Sequence, residues 1–279
     1  MSRSWLYVLP AIIYAATFSI LPMVLSLSLS FCNYNPGSGL FNFVGLNNYL
    51  DLFNLARFWN SLAVTFLFAA SAITLELSLA FLISYLLSRE TKLTKVARVA
   101  LTIPFMLNPV AVSYDFKMIF DIDYGPLNFL LKKVGLPIIK WRTDFAFLTL
   151  LIVDAWQWVP FVSLVLLAGI LSISPAIVES GKIDGASELQ IFRYLIIPQV
   201  SNLITFLILF RLIELLKLFD IVYVLTGGGP GISTETIALF LYVTALQSFN
   251  LGRASAASVI LLIFAIILGL MLMRVMRRR

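Results

Sequence analysis

Four charged side chains recur three residues apart in one apolar stretch: Arg211, Glu214, Lys217 and Asp220. On a helix that spacing draws a slowly winding stripe in which opposite charges neighbour one another and can pair. Glu76 and Asp154 stand as lone carboxylates in two other apolar stretches. A charge at the centre of a bilayer costs about 2.5–3.5 kcal/mol on insertion scales, so such groups face protein or water. Two kinds of chemistry are open to them. They can line a water-filled path for a polar solute, or they can neutralise one another where helices meet, including a meeting with another subunit. Asp154 also begins Asp-Ala-Trp-Gln-Trp, which gathers a carboxylate, the Gln157 amide and the indoles of Trp156 and Trp158. With Tyr223 these are candidate solute contacts, although tryptophan is also enriched at membrane interfaces as an anchor. Asn108-Pro109 marks a local helix break that frees backbone groups, as a path or a packing kink requires.

Bond-breaking chemistry has little to work with. The chain has no histidine, which removes Ser-His triads and the HExxH zinc site, and its one cysteine, Cys32, cannot form an internal disulfide. The phosphate-binding sequence G-x-x-x-x-G-K-[ST] does not occur, and the Gly227–Gly231 cluster lacks the lysine. Those glycines are better explained as a tight loop.

The elements that must position these residues follow from composition. Of 279 residues 61% are hydrophobic and 12% charged, which excludes a soluble domain and implies a polytopic, all-α membrane protein. Spans are expected at about 5–31, 59–87, 99–119, 145–172, 199–225 and 254–273, each long enough to cross with some tilt. The first exceeds a signal-peptide core and lacks a small-x-small cleavage site, so it reads as an uncleaved span bent at Pro10 and Pro22. Residues 236–248 are too short to cross and read as a partly embedded outer helix. The alternative is a long sixth helix broken at Gly252.

Six spans put both termini on one side, and the positive-inside rule chooses it. With a cytoplasmic N-terminus the inner segments hold eleven cations: Arg3, Arg89, Lys92, Lys95, Arg98, Lys182, Arg193, Arg274, Arg277, Arg278 and Arg279. The outer segments hold seven, namely Arg57, Lys117, Lys132, Lys133, Lys140, Arg142 and Arg253, and the remaining two of the 20 are Arg211 and Lys217. The net charge of +6 is thus an orientation signal, spread without a patch for nucleic acid. Contact with anionic headgroups is the default role of Arg89, Lys92, Lys95 and Arg98, and contact with another subunit is the alternative.

One mixed polar stretch, 179–198, separates two spans and carries its own grammar. Ser174-Pro175 opens a first helix as N-cap and first helical position. Asp184-Gly185 is a turn. Ser187 with Gln190 reads as a capping box for a second helix, which Pro198 is expected to stop. Here Glu179, Asp184-Gly185-Ala186, Phe192 and Ile197-Pro198 match the cytoplasmic loop of binding-protein-dependent ABC importer permeases, with Ser180-Gly181 in place of two alanines. By that resemblance the chain is a single permease domain, 1–279, in the cell membrane, with a coupling helix in loop 173–198. Glu179, Asp184, Gly185, Ala186, Phe192 and Pro198 would couple it to a groove on a separate ATPase.

The same resemblance implies the partners. These are a second homologous permease, two ATPase subunits that hold ATP and Mg, an extracytoplasmic solute-binding protein and the lipid bilayer. No catalytic residue, metal or cofactor is expected in this chain. Outer segments resemble the sugar-importer branch, and within it the maltose-type first permease: Phe43-Val44-Gly45-Leu46-Asn47-Asn48-Tyr49, Asp123-Tyr124-Gly125-Pro126-Leu127-Asn128 and Thr226-Gly227-Gly228-Gly229-Pro230-Gly231. Sugars are held by hydrogen bonds to hydroxyls and by aromatic faces, which suits Trp156, Gln157, Trp158 and Tyr223. A secondary transporter that uses Glu76 or Asp154 for proton coupling is the rival reading.

Overall fold

In a bilayer, long apolar runs satisfy their own backbone only as helices or closed barrels, and these runs have become helices. The computed structural model describes residues 5–89 and 91–277; Arg3, Arg278 and Arg279 lie outside them. The helices are α1 (Trp5–Ala15), α2 (Leu21–Ser30), α3 (Asn47–Phe53), α4 (Ala56–Leu87), α5 (Lys92–Ala100), α6 (Thr102–Met106), α7 (Pro109–Ile119), α8 (Pro126–Lys133) and α9 (Ala146–Leu171). They continue as α10 (Pro175–Ile183), α11 (Glu188–Gln190), α12 (Ile197–Gln199), α13 (Ser201–Leu216), α14 (Asp220–Leu225), α15 (Ile237–Tyr242) and α16 (Leu251–Arg277). Among the described residues four stretches are long and apolar enough to cross a membrane: Tyr7–Ser30, Ala56–Leu87, Ala146–Leu171 and Leu251–Met271. Two bent pairs, Lys92–Met106 with Pro109–Ile119 and Glu188–Gln199 with Ser201–Leu216, bring the number to six if each is one span.

Contacts gather the chain into two units. The first comprises residues 1–60 and 238–268. A π-helical turn, Ala16–Ile20, joins α1 to α2 just before Pro22. Pro22 has no N–H and its ring would crowd the carbonyl of Phe18, so the wider turn accommodates both. The all-α expectation misses a two-stranded antiparallel hairpin, β1 (Cys32–Asn35) with β2 (Leu40–Phe43). Its base is fixed by buried Asn48, whose Nδ2 donates to the carbonyls of Ser30 and Cys32, each at 2.9 Å. Residues 237–247 form a helix of their own, α15 and a π-helical turn Val243–Gln247. The break before α16 falls at Phe249, which takes φ +53, and Gly252 lies inside α16. A Cβ on Gly252 would run into the Cys32 carbonyl and crowd the Asn48 amide, so α16 approaches the hairpin base only as glycine.

The second unit comprises residues 61–237 and 269–279. Its core packs Ala80 of α4, Val162 and Leu166 of α9 and Leu207 of α13. Small residues bring the helices close, and the Ser84 hydroxyl donates across to the Ser163 carbonyl at 2.7 Å. The third expected span is broken where Asn108-Pro109 indicates: α5–α6 and α7 meet at 96°, and the Asn108 side chain caps α7 by accepting from Val110 N–H at 2.9 Å. The fifth is broken twice. The first bend, 68° between the loop helix Glu188–Gln199 and α13, falls at its very start, and the second falls inside it, where α13 ends at Leu216 before α14 begins at Asp220. Pro198 does not stop its helix, because a π-helical turn, Ile191–Ile196, precedes it and α12 carries on to Gln199. Outside the spans, Asp121 accepts from the backbone N–H groups of Tyr124 and Asp123, which hold its carboxyl below its ordinary value, and Arg142 at 3.7 Å adds to this.

The backbone contact at Gly252 has no flexible atom to yield, so Gly252→Val is expected to cost about 1–3 kcal/mol. Thermal unfolding of the detergent-purified protein should show a lowered midpoint; an unchanged midpoint would mean that α16 does not pack against the hairpin base.

Candidate solute site and coupling loop

A guanidinium presents donors in a planar fork, and here one fork serves two carboxylates from different helices. Arg211 of α13 donates from Nε to Glu76 Oε2 at 2.6 Å and from Nη2 to Glu76 Oε1 at 2.5 Å. The same Nη2 donates to Asp154 Oδ2 at 2.7 Å. Glu76 belongs to α4 and Asp154 to α9, so three helices meet at one ion cluster, whose members are 2%, 1% and 0% exposed. The Trp158 ring covers the guanidinium carbon at 4.1 Å, a cation–π contact in a site shielded from water. Three buried polar atoms nearby have no partner among the described residues: Arg211 Nη1, Asp154 Oδ1 and Gln157 Oε1.

Arg211, Asp154, Gln157 and Trp158 line a cavity of about 250 Å³ together with Pro109, Glu214, Leu215, Lys217, Leu218, Phe219, Asp220 and Ile221. The cavity lies at the breaks of two spans. Pro109 begins α7, while Lys217 to Phe219 separate α13 from α14. Gln157 ties α9 to the first break by donating to the Leu107 carbonyl at 3.0 Å. Irregular backbone at membrane depth persists only where protein covers it or water reaches it.

Seven of the ten residues expected on a solute path therefore come together: Asp154, Gln157, Trp158, Arg211, Glu214, Lys217 and Asp220. The other three do not line this cavity. Trp156 packs edge-on against Phe116 and lines a separate cavity with Val112 and Asp115. Tyr223 stacks on Phe219 at 5.1 Å. Asn108 spends its side chain on the α7 cap. The continuous stripe is also corrected. Lys217 pairs with Glu214 at 2.9 Å as expected, but Arg211 leaves the stripe for Glu76 and Asp154, which are not lone carboxylates. Asp220 opens a new helix, so the stripe ends at the break. Pro109 lines the cavity as half of the expected Asn108-Pro109 break, whereas Leu215, Leu218, Phe219 and Ile221 are apolar residues that carry no signal for a site in the sequence.

The loop follows its local grammar closely. Asp184-Gly185 forms the corner, with Gly185 at φ +80. Ser187 and Gln190 form the capping box, Gln190 N–H donating to Ser187 Oγ at 3.3 Å and Ser187 N–H to Gln190 Oε1 at 2.8 Å. Ser174 differs from expectation: it sits at the N-cap, yet its hydroxyl makes no capping bond, and Pro175 starts the helix alone. A Cβ on Gly181 would come within 2.7 Å of Leu195 Cδ1, so α10 lies close against the second helix. Glu179, Asp184, Gly185 and Pro198 are exposed, while Ala186 and Phe192 are half-buried. The Phe192 ring meets Phe81 and Tyr85 of α4 edge-on at 5.8 and 5.7 Å, and the Tyr85 hydroxyl donates to Glu188. The helix that carries Glu76 thus also carries the loop.

Removing Arg211 would leave two buried carboxylates unpaired. Arg211→Met is expected to destabilise the protein by about 3–5 kcal/mol, and neutralising the carboxylates as well (E76Q and D154N with R211M) to recover most of the loss. Fluorescence-detected size-exclusion after heating reads both effects; a triple variant no better than R211M would show that the cluster is not coupled.

Residues 77–279 match the family described as binding-protein-dependent transport system inner membrane component. The chain is 34% identical over 249 residues to a probable ABC transporter permease, y4oQ, of Sinorhizobium fredii, covering 88% of this chain and 80% of that one. It is 31% identical over 274 residues to the trehalose/maltose transport system permease MalF of Thermococcus litoralis, covering 95% and 90%. In fold it is similar, with a TM-score of 0.85 at 23% identity over 99% of this chain and 95% of the other, to a chain of a bacterial alginate ABC transporter solved with an alginate pentasaccharide-bound periplasmic protein. This membrane chain belongs to the family of inner-membrane components of binding-protein-dependent transport systems.

Proposed function

We propose that the chain is one of two permease subunits in an ATP-driven importer and that its solute is a sugar. The polar cavity at the breaks of two spans carries the reading, because it sets unpartnered donors and acceptors beside interrupted helices, where a path can open. Similarity to a trehalose/maltose permease supports the sugar. The periplasmic protein held by the alginate transporter supports delivery by an external binding protein.

In this reading the six spans place loop 173–198 and both termini in the cytoplasm. The corner at Gly185 docks on one of two separate ATPase subunits, which hold ATP and Mg, and a homologous permease completes the path. Exposed apolar side chains beside the corner, Ile183 at 85% and Leu189 at 74%, support a protein partner there. ATPase closure moves the loop, and Phe192 and Glu188 pass the movement to α4. The importer then alternates between two states, biased by ATP at one end and the loaded binding protein at the other. The rival reading, a proton-coupled secondary transporter, is disfavoured because Glu76 and Asp154 are both engaged by Arg211.

Gly185 holds φ +80, which a β-branched side chain adopts only under strain. Gly185→Val should abolish sugar uptake while the chain still inserts, and should lower ATPase recovery when the tagged protein is purified from native membranes. Normal uptake by the variant would sink the coupling role. Recovery of the wild-type chain without an ATPase or a second permease would sink the importer reading itself.

A further inference from the structure

From the unpartnered atoms of the cavity we infer that the site selects a neutral, hydroxyl-rich solute and rejects acidic ones, an inference that rests on the solute-site reading above. Among the residues that line the cavity, one buried donor, Arg211 Nη1, and two buried acceptors, Asp154 Oδ1 and Gln157 Oε1, have no partner among the described residues. Its cations are already engaged: Arg211 by Glu76 and Asp154, and Lys217 by Glu214 at 2.9 Å. Among the lining residues the carboxylates Asp154, Glu214 and Asp220 outnumber the cations Arg211 and Lys217, and Glu76 stands directly behind Arg211.

Each hydroxyl of a sugar or polyol donates one hydrogen bond and accepts others, so two or three adjacent hydroxyls satisfy all three atoms at once. A carboxylate or phosphate brings acceptors alone. Where that group itself faces these atoms it meets Nη1 but leaves Asp154 Oδ1 and Gln157 Oε1 without a donor, and wherever it sits in the cavity it adds negative charge beside Asp154, Glu214 and Asp220. An unmade hydrogen bond at a buried group is costly, which makes the site discriminate by what a solute lacks as much as by what it offers.

The test is direct binding to the purified transporter in nanodiscs, without binding protein, so that selection upstream does not enter. The probes are matched pairs: glucose and glucuronate, galactose and galacturonate, maltose and maltobionate. At least one neutral member is expected to bind, with its acidic partner roughly 100-fold weaker, the scale set by leaving a buried polar group without its hydrogen bond. In Asp154→Asn, which removes the negative charge beside the bound solute, the ratio of neutral to acidic affinity should fall toward one. Acids that bind as tightly as their neutral partners, or a panel in which no neutral member binds, overturn the inference. The wild-type comparison decides even if the variant fails to fold. Acid binding by an assembly that still contains its ATPase and second permease removes only the selectivity, whereas loss of the importer reading shows as absence of those subunits.

Discussion

One nearly buried guanidinium held between two carboxylates constrains this molecule more than any other contact. Removing three charges from water costs several kcal/mol per ion, and the cluster recovers it only if the fork geometry is met. Arg211, Glu76 and Asp154 sit on α13, α4 and α9, so the depth and rotation of these helices are fixed against one another. Apolar packing such as Ala80 against Val162 and Leu207 tolerates a slide or a small rotation. A bidentate ion pair does not. The cluster therefore sets the frame, and the apolar core fills it.

The cavity depends on that frame. Its interrupted walls, Pro109 at the start of α7 and Lys217 to Phe219 after α13, expose backbone that a bilayer would not accept. Gln157 closes part of this cost through the Leu107 carbonyl. At the other end of α4, Tyr85 and Phe81 receive Glu188 and Phe192 from the loop. Nine residues separate Glu76 from Tyr85, about 13.5 Å along a helix at 1.5 Å each. A push at the loop thus has a stiff element leading to the ion cluster.

Local features were legible in the sequence, and long-range ones were not. The Asp184-Gly185 corner, the Ser187–Gln190 box and the Asn108-Pro109 break each depend on a few adjacent residues, and each formed. Leu218 and Phe219 carry no breaking signal, so the sequence presents the charged stripe as continuous, whereas α13 ends at Leu216 and α14 begins only at Asp220. Glu76 and Arg211 are 135 residues apart, and no spacing rule reaches that far. Trp156 and Trp158 are two residues apart in one helix, so they point to different sides, and only Trp158 covers the arginine. The hairpin 32–43 escaped because its strands, Cys-Asn-Tyr-Asn and Leu-Phe-Asn-Phe, are short and only partly alternating.

The wide separation of the cluster's members also bears on how the chain is made. Synthesis runs from the N-terminus, so α4 with Glu76 reaches the membrane first, α9 with Asp154 follows, and Arg211 emerges 57 residues after Asp154. Until then two acidic groups stand in apolar helices without the cation that neutralises them. The early helices have reason to stay hydrated or close to the insertion machinery rather than disperse into lipid. Arrival of α13 ends that wait, which makes this helix the latch that fastens α4 to α9 during biogenesis.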